Sequence, residues 1–486
     1  MYSILYVNIE ALSMVNGKLA RKYNAIPIDI KGNDLEVAIS KDNLYALEDF
    51  RLATGKNIIF KTMKEDEISR SIEKYYSKNQ SIESDFSKDI LENILQKAVL
   101  LNASDIHIEP FEKLLKIRMR VDGSLKEINT YNIELHSQLS TLIKLLAGMN
   151  IAEKRLPQDG RIDKDIDNNI VDLRISTIPT VYGEKIVIRI LNRNTFFKSK
   201  YEIGFSDEAI NKIKSMTSDM SGLIIVTGPT GSGKTTTLYS ILNDFKNIDK
   251  NIVTIEDPVE YKIEGINQIQ VNYKYGLDFA TGLKSILRQD PDIIMIGEIR
   301  DKETAQIAIR AASTGHLVIS TMHTNNSVES ISRLVDMGVP RYLISSVLKG
   351  VISQKLVRKV CGHCSIEEEL DENTYKKLKL KTIKIEQGCS KCNYSGYKGR
   401  IAVYEILEIN KRIKHSIIDS ELSDEIYNLG KLNGMISFQD SCSYLLKNGI
   451  TTLKECMFMD NINWLEVSDW LYMTVLYMIR VIKDIR

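Results

Sequence analysis

Long apolar runs are missing from this sequence of 486 residues. No segment reaches the ~18 uncharged apolar residues that a membrane-spanning helix needs. The first residues, MYSILYVNIEALSM, also lack the basic n-region and the small-residue cleavage site of a secretory signal. The sequence therefore predicts a cytoplasmic protein, and its length allows roughly two to four domains.

Net charge is almost absent as well. The chain carries 65 basic and 64 acidic residues, which gives a formal charge of +1. This balance supplies no global electrostatic reason to expect nucleic acid or an anionic membrane as the main partner, although a local basic patch is compatible with it.

Cysteines are scarce, but four of the six form two Cys-x-x-Cys pairs. Cys361 and Cys364 lie in VCGHC, and Cys389 and Cys392 lie in GCSKC. In a reducing compartment this grouping favours a metal over disulfides. Two such pairs can close a tetrahedral four-sulfur Zn²⁺ site. An iron–sulfur cluster and four unliganded buried thiols are the alternatives.

The apolar pattern divides the chain into three folded segments. Residues 1–76 combine strand-like runs at 35–40 and 57–62 with a helix over 65–76, as in a small α+β domain. The polar stretch 77–89 is predicted to be a linker. A second α+β unit is expected over 90–194, followed by a linker over 195–205. From 206 to 456 the apolar strands GLIIV, NIVTI, DIIMI and HLVIS alternate with helical stretches, which is typical of an α/β domain with a parallel sheet.

The stretch VTGPTGSGKTTTL has the pattern of a phosphate-binding loop between a strand and a helix. Its glycines let backbone amides converge on phosphate oxygens, Lys234 is predicted to reach the β- and γ-phosphates, and the hydroxyl of Thr235 is predicted to bind Mg²⁺. A chance glycine-rich turn is the alternative. The residues predicted to bind ATP in this loop are Gly228, Pro229, Thr230, Gly231, Ser232, Gly233, Lys234, Thr235 and Thr236.

Carboxylates follow the next apolar strands. Glu256, Asp257 and Glu260 lie in NIVTIEDPVEY, and Glu298 lies in DPDIIMIGEIRD. At the carboxyl ends of parallel strands such groups hold magnesium-bound water or orient the attacking water, so Glu298 is also assigned to the ATP site. Asp257 and Asp301 are equally well explained as helix caps.

Two histidines bracket the apolar run LVIS in GHLVISTMHT. His323 follows the strand, where a side chain can contact the γ-phosphate, and His316 precedes it. Both positions are also compatible with a structural histidine.

Taken together, these motifs resemble the hexameric ATPases of type II secretion and type IV pilus assembly, the GspE/PilB group. The resemblance covers about residues 90 to 456, through the stretches ASDIHIEP, RLPQDGRI, LRISTIPTVYGEKIVIRIL, GPTGSGKTTTLY, TIEDPVEY, LRQDPDIIMIGEIRD, TGHLVISTMHTN and NYSGYKGRIAVYEIL. It implies an α/β fold in which a RecA-like P-loop NTPase domain is preceded by a PAS-like α+β domain and a small N-terminal α+β domain for docking or regulation.

The same resemblance implies catalytic roles. Glu260 is the candidate general base, Glu298 the magnesium-associated acid, and His323 a further catalytic candidate. Arginines that stabilise transition-state charge are expected in the second domain, although a surface ion pair is the commoner role of an arginine. These candidates are Arg161, Arg174 and Arg189, with Arg288 and Arg300 beside the strand that precedes Glu298.

The cysteine pairs fall in an insert at about residues 358–400. In the family this insert and the N-terminal domain are typical of assembly and secretion motors, and retraction motors typically lack both. The resemblance therefore implies a homohexamer that uses ATP, Mg²⁺ and Zn²⁺ and acts on an inner-membrane platform protein to assemble type IV pili or type II secretion pseudopili. The N-terminal domain is expected to dock on that protein or on another cytoplasmic-side assembly protein, which makes the motor peripheral to the membrane.

The rival prediction is a RecA-like nucleic-acid translocase or helicase, because this core serves both tasks. The neutral charge and the lack of a basic, aromatic-interleaved stretch oppose it, so no nucleic-acid partner is expected. A non-hydrolysing scaffold is opposed by the intact set of Lys234, Thr235, Glu260 and Glu298.

Residues 457–486 form an atypical C-terminal tail that contains both tryptophans, Trp464 and Trp470. Its apolar residues recur at helical spacing, which predicts an amphipathic helix. Such a helix would lie on a membrane surface, on a partner or on its own domain.

Overall fold

The computed structural model describes residues 5, 7–41, 44–76, 80–166, 169–192, 198–246, 249–370, 372, 380–419 and 423–457. The chain divides into two compact units, Met1–Asn194 and Thr195–Arg486. Among the described residues, none of the helices combines the length and the apolar character that a bilayer crossing needs. The tail predicted over 457–486 lies, from residue 458 onward, outside the described residues.

The first part of unit one is a three-stranded sheet with short helices. Strands β1 and β2 are antiparallel and β2 and β3 are parallel, in the order β1-β2-β3. The strands are Ala25–Lys31, Asp34–Ile39 and Asn57–Thr62, and the helices α1 to α4 are Ile9–Ser13, Gly17–Tyr23, Leu44–Thr54 and Glu65–Tyr76. The predicted strands near 35–40 and 57–62 and the helix over 65–76 are confirmed.

The second part of unit one is a six-stranded antiparallel sheet with two helices on one face. The strand order is β6-β5-β4-β9-β8-β7. Alternate residues such as Ile106, Ile117 and Ile188 are buried in one core with residues of both helices. The helices α5 and α6 are Gln80–Leu100 and Glu134–Leu146, and the strands β4 to β9 are Asp105–Pro110, Leu114–Val121, Ser124–Asn132, Gln158–Ile166, Asn169–Thr180 and Gly183–Asn192.

Helix α5 corrects the linker predicted over 77–89, because it begins at Gln80. The stretch is polar, but it contains neither proline nor glycine, so nothing in it stops a helix that the apolar residues after 90 anchor. Ser87 is buried and its hydroxyl donates to Gln138 Oε1 of α6 at 3.0 Å. The polarity of residues 77–89 was therefore not sufficient to predict a linker.

Unit two is an α/β domain built on a seven-stranded sheet, in the order β12-β11-β13-β14-β10-β15-β18. All neighbouring strands are parallel except β15 and β18, which form a long antiparallel pair. The four predicted apolar strands are present as β10, β11, β13 and β14. The strands β10 to β18 are Gly222–Thr227, Ile252–Glu256, Asn267–Gln270, Ile293–Ile296, Leu317–Met322, Leu348–Val360, Ile366–Glu369, Thr382–Ile385 and Tyr397–Glu408, of which β16 and β17 form a separate two-stranded sheet.

Two separate apolar cores lie in this α/β domain and include residues from the same central strands. Side chains from strand β10 divide between them: Leu223 and Ile225 belong to one core, Ile224 and Val226 to the other. This division is expected for a sheet covered on both faces. The helices α7 to α17 are Lys200–Ile203, Asp207–Thr217, Lys234–Asn243, Phe279–Ile286, Lys302–Ser313, Ser327–Asp336, Arg341–Val347, Lys411–Ile418, Ser423–Leu432, Phe438–Lys447 and Leu453–Met457.

The linker predicted over 195–205 also needs correction in its second half. Ser199 caps helix α7 in a capping box with Glu202. Phe205 is buried, with its ring 4.7 Å from the ring of Tyr404, and Lys200 pairs with Asp244 at 2.6 Å. Residues 199–205 therefore belong to the α/β domain.

Candidate functional site

The predicted site residues of unit two follow four neighbouring parallel strands. The glycine-rich loop 228–233 follows β10, Glu256 ends β11, Glu298 follows β13 and His323 follows β14. Because β11, β13, β14 and β10 are adjacent in that order, their carboxyl ends form one edge of the sheet. The structure therefore brings these residues together at the edge where open α/β sheets bind ligands.

The glycine-rich loop enters helix α9 without a side-chain cap. Gly233 is the N-cap residue, with a left-handed φ of 87°, and as a glycine it has no side chain that could cap the first helical amides. The amides of this first turn are thus available to an anion, which the helix dipole also favours.

Lys234 folds back over the loop. Its Nζ donates to the carbonyl oxygens of Gly228 at 2.8 Å and Pro229 at 3.0 Å. Burial lowers the pKa of Lys234, and the charge of Glu298 opposes that shift. The ammonium group is therefore held at the mouth of the loop, where it can exchange two carbonyl contacts for phosphate oxygens.

Glu298 lies next to two positively charged or titratable side chains. Its side chain is 12% exposed, it forms an ion pair with Arg300, and its Oε2 lies 3.3 Å from His323 Nε2. Glu298, Arg300 and His323 line a cavity of about 340 Å³ together with Arg333 and three apolar residues. A carboxylate in this setting offers hard oxygen donors of the kind that Mg²⁺ prefers.

The carboxylates after β11 differ in their surroundings. Glu256 is buried, Glu260 is half-buried, and Asp257 is exposed and accepts a hydrogen bond from the Tyr273 hydroxyl at 3.3 Å. Burial raises the pKa of Glu256, although three side chains donate hydrogen bonds to it. Of the three, Glu260 combines partial burial with a place at the sheet edge.

Other candidates lie elsewhere or have structural partners. Asp301 caps helix α11 by accepting from the Thr304 amide at 2.8 Å, as the alternative interpretation held. His316 precedes β14, at the opposite edge of the sheet, and its Nδ1 lies 2.9 Å from Ala311 O. Arg288 donates to the carbonyl of Lys284 at 3.0 Å.

The three arginines predicted in the second domain lie on strands of unit one. Arg161 pairs with Asp172 at 2.8 Å, Arg174 lies 4.0 Å from the same carboxylate, and Arg189 pairs with Asp105 at 3.2 Å. Ion pairs of this kind were the alternative interpretation, and the roles of these arginines in charge stabilisation stay predictions.

The sequence motifs did not predict a role for Tyr239, which lies on helix α9. The Tyr239 hydroxyl donates to Glu256, whose carboxylate also accepts from Thr254 Oγ1 at 2.6 Å and from Gln268 Nε2 at 3.1 Å. This network ties the helix after the glycine-rich loop to the strand that ends in the carboxylates. Tyrosine at a helix position carries no local signal for such a role.

The four paired cysteines form one cluster at the end of the β15–β18 pair. Their Sγ atoms lie within 4.8 Å of one another, with Cys364 and Cys392 at 3.8 Å and Cys361 and Cys389 at 4.0 Å. A tetrahedral zinc with Zn–S bonds of about 2.3 Å requires sulfur separations of about 3.8 Å. The sulfur positions therefore fit a four-coordinate zinc site.

Backbone amides donate to two of these sulfurs. Gly388 donates to Cys364 Sγ at 3.3 Å, and Cys389 and Gly396 donate to Cys392 Sγ at 3.1 and 3.3 Å. Burial opposes ionisation of Cys392, but hydrogen bonds from these amides and from the neighbouring thiols lower its pKa to about 6, whereas burial raises the pKa of Cys364 to about 11. Such donors favour the thiolate form that a metal binds.

Comparison with known proteins places the chain among secretion ATPases. Residues 80–458 match the family described as Type II/IV secretion system protein, and residues 5–82 match the MshEN domain. The chain is 41% identical over 474 residues to the type IV pilus assembly ATPase PilB of Thermus thermophilus, covering 90% of this chain and 53% of that protein. It is 39% identical over 484 residues to the type II secretion system protein E of Xanthomonas campestris pv. campestris, covering 92% of this chain and 84% of that protein.

A solved structure shares this fold. The crystal structure of the pilus retraction motor PilT with bound ADP aligns with a TM-score of 0.53 and 26% identity, over 77% of this chain and 97% of that one. The chain thus spans about half the length of the Thermus relative, at 53%, and nearly all of the PilT structure, at 97%.

Proposed function

Because the chain belongs to the Type II/IV secretion system protein family and is an ATP hydrolase of the GspE/PilB kind, we propose that it is a motor that works as a homohexameric ring. Hydrolysis in the ring drives an inner-membrane platform protein, which assembles type IV pili or type II secretion pseudopili. The observation that carries this proposal is the edge of the unit-two sheet, where the loop 228–233, Glu260, Glu298 and His323 follow adjacent strands.

ATP binding is assigned to the loop and the start of helix α9. Backbone amides of residues 230–236 contact the phosphates, and Lys234 supplies a positive charge to the β- and γ-phosphates. Thr235 and Glu298 are the residues that would hold Mg²⁺, which neutralises charge on the phosphate oxygens when bound. The oxygen donors of these two side chains suit that ion.

Glu260 is assigned as the general base. Its half-buried carboxylate lies on the loop after β11 and takes the proton from the water that attacks the γ-phosphate. His323 and Arg300, which lie against Glu298, keep that carboxylate in place. His323 is also proposed to contact the γ-phosphate.

Stabilisation of the negative charge that develops in the transition state is assigned to three arginines of unit one. Arg161, Arg174 and Arg189 each lie beside an aspartate, Asp172 or Asp105, and exchange that partner for phosphate when a ring assembles. A site completed by a neighbouring subunit makes hydrolysis depend on oligomerisation.

Zinc is assigned to Cys361, Cys364, Cys389 and Cys392. A site filled by four protein sulfurs has no open coordination position, so the metal stabilises the fold of the insert and takes no part in catalysis. The sulfur separations and the amide donors described above support this assignment.

The remaining parts of the chain are assigned to docking. The α+β domain over 1–76 binds the platform protein or another assembly protein on the cytoplasmic side, which places the motor at the inner face of the cytoplasmic membrane. The ATPase domain extends over 199–456 and is preceded by the domain that begins with helix α5, over 80–194.

The nucleic-acid translocase draws no support from the relatives named above, which are secretion and pilus ATPases. A net charge of +1 also gives the chain no general attraction to a polyanion.

The first experiment is the steady-state ATPase rate of the purified, zinc-loaded oligomer, with Lys234→Ala as the blank. The rate is measured at decreasing protein concentration and with single- or double-stranded DNA added. The proposal expects a specific activity that falls as the ring dissociates and that DNA leaves unchanged. A rate that survives dilution to monomer contradicts the ring mechanism, and strong stimulation by DNA would favour the translocase.

A further inference from the structure

The inner surface of the phosphate loop is braced by a glutamine from a distant strand. Gln354 lies on β15, and its side chain is buried, with 1% exposure. Its Nε2 donates to the carbonyl oxygen of Ser232 at 2.7 Å, and the Thr237 hydroxyl donates to its Oε1 at 2.6 Å. One side-chain amide therefore joins the loop to the first turn of helix α9.

Two glycines of the loop make room for this strand. A Cβ at Gly228 would lie 2.2 Å from the Gln354 carbonyl oxygen, and a Cβ at Gly233 would lie 2.9 Å from Gln354 Nε2. Gly228 and Gly233 also have positive φ angles of 141° and 87°. Strand β15 thus packs on the loop through the Gln354 backbone carbonyl at Gly228 and through the Gln354 side chain at Gly233.

The bond to Ser232 fixes the direction of one peptide group. In a planar trans peptide the C=O and the following N–H point in opposite directions. Since the Ser232 carbonyl is held toward Gln354, the Gly233 amide of the same peptide is turned away from β15. A rotation of this peptide would exchange a phosphate donor for a repulsive carbonyl oxygen.

Because the Gln354 side chain is buried, its two hydrogen bonds depend on each other. Both polar atoms of the Gln354 amide have partners, so loss of either partner would leave a buried group unsatisfied. The amide therefore favours the loop conformation in which the Ser232 carbonyl and the Thr237 hydroxyl are both in place.

We propose that Gln354 is a positioning residue for nucleotide binding, which holds the Ser232–Gly233 peptide so that its amide faces the phosphates. This inference rests on the proposed ATP site. Because the brace acts before and after the nucleotide reacts, it lowers the Kd and KM for ATP more than it raises kcat.

The test compares Gln354→Met, which keeps the side-chain length and removes both hydrogen bonds, with the wild-type oligomer. The Kd of an N-methylanthraniloyl ATP analogue is measured by fluorescence with Mg²⁺ present, together with KM, kcat and the melting temperature. Thr451→Val is the matched control, because Thr451 is also buried and donates to β15 at the Arg358 carbonyl, 2.8 Å away and outside the loop.

The expected result is a rise of about tenfold in both Kd and KM for Gln354→Met, with kcat changed by less than about threefold. Thr451→Val should lower the melting temperature without moving Kd. If Gln354→Met folds and binds the analogue as wild type does, or loses only melting temperature, the inference is wrong.

Thr237→Val is the second variant, and it tests the role of Gln354 in nucleotide binding if Gln354→Met does not fold. It removes one of the two anchors and should raise Kd by about threefold; an unchanged Kd would overturn the inference. A wild-type protein that neither binds the analogue nor hydrolyses ATP refutes the proposed function instead.

Discussion

The hydroxyl of Tyr239 on helix α9 donates a hydrogen bond to the buried carboxylate of Glu256 at the end of strand β11. The helix that starts at the phosphate loop is thereby joined to the strand that leads to Glu260. Movement of one element relative to the other would break a buried hydrogen bond, which costs about 1–3 kcal/mol.

Glu256 predicts a pH-dependent stability. Burial raises the pKa of its carboxyl above the ordinary 4.5. A raised pKa means that the folded protein binds the proton more tightly, so this contribution to stability is fully present below 4.5 and is lost as the pH rises through the folded-state pKa. The melting temperature of the wild type should therefore fall relative to that of Glu256→Gln as the pH rises above about 4.5.

The control for this prediction is Glu264→Gln, which removes a carboxylate whose side chain is 95% exposed. Its melting curve should run parallel to that of the wild type over the same range. Parallel curves for Glu256→Gln as well would contradict the assigned cause.

Gly228→Ala should abolish nucleotide binding. The new Cβ would lie 2.2 Å from the Gln354 carbonyl oxygen, so the loop or the strand must move. Gly276→Ala is the matched control, since Gly276 also has a positive φ, of 75°, but nothing lies within 4 Å of its added Cβ. Binding of the fluorescent ATP analogue checks both, and equal affinities for the two variants would disprove the steric argument.

Glu260→Gln should lower kcat by roughly 10²–10⁴, the usual contribution of a general base, while the Kd for the ATP analogue stays close to that of the wild type. Glu264→Gln changes another carboxylate four residues along the same loop and should leave kcat unchanged. Steady-state ATPase assays at saturating ATP separate the two. A Glu260→Gln enzyme with full kcat would remove Glu260 from the mechanism.

Cys389→Ser should release the zinc. The variant loses one of four ligands, and the remaining three bind the ion more weakly. Zinc measured by atomic absorption is expected at about one per chain in the wild type and well below that in the variant. Cys442→Ala also removes a buried thiol, but one outside the cluster, and should keep its zinc.

The sequence predicted those parts of the site that short residue patterns specify. The loop 228–233, the carboxylates after β11 and β13 and the paired cysteines were found because each has its own spacing and follows a recognisable apolar strand. The strand predictions succeeded for the same reason, since the four central strands are buried along their whole length and consist largely of apolar residues. The start of helix α5 was predicted too late, because a polar stretch has the composition of a linker whether or not it is helical.

Gln354 could not be found in this way. It lies 122 residues from Ser232 along the chain, and only the pairing of β15 with β10 brings the two together. A single glutamine in a strand belongs to no sequence pattern that would identify its hydrogen-bond partner. Tyr239 was missed for the same reason, since a tyrosine on a helix gives no sign of the carboxylate on the next strand.

The cysteine insert leaves and re-enters the β15–β18 pair at a single point, where the Cys361 amide donates to the Gly396 carbonyl at 2.8 Å. The segment between Cys364 and Cys389 is therefore held at both ends, just outside the paired strands β15 and β18. Ile383 of this span packs in one apolar core with Val357 of β15, whereas Ile366–Glu369 are exposed. Substitutions on the exposed strand are therefore expected to leave Gln354 and the phosphate loop in place, so that this part of the insert can change in sequence without changing the rate at which ATP is consumed.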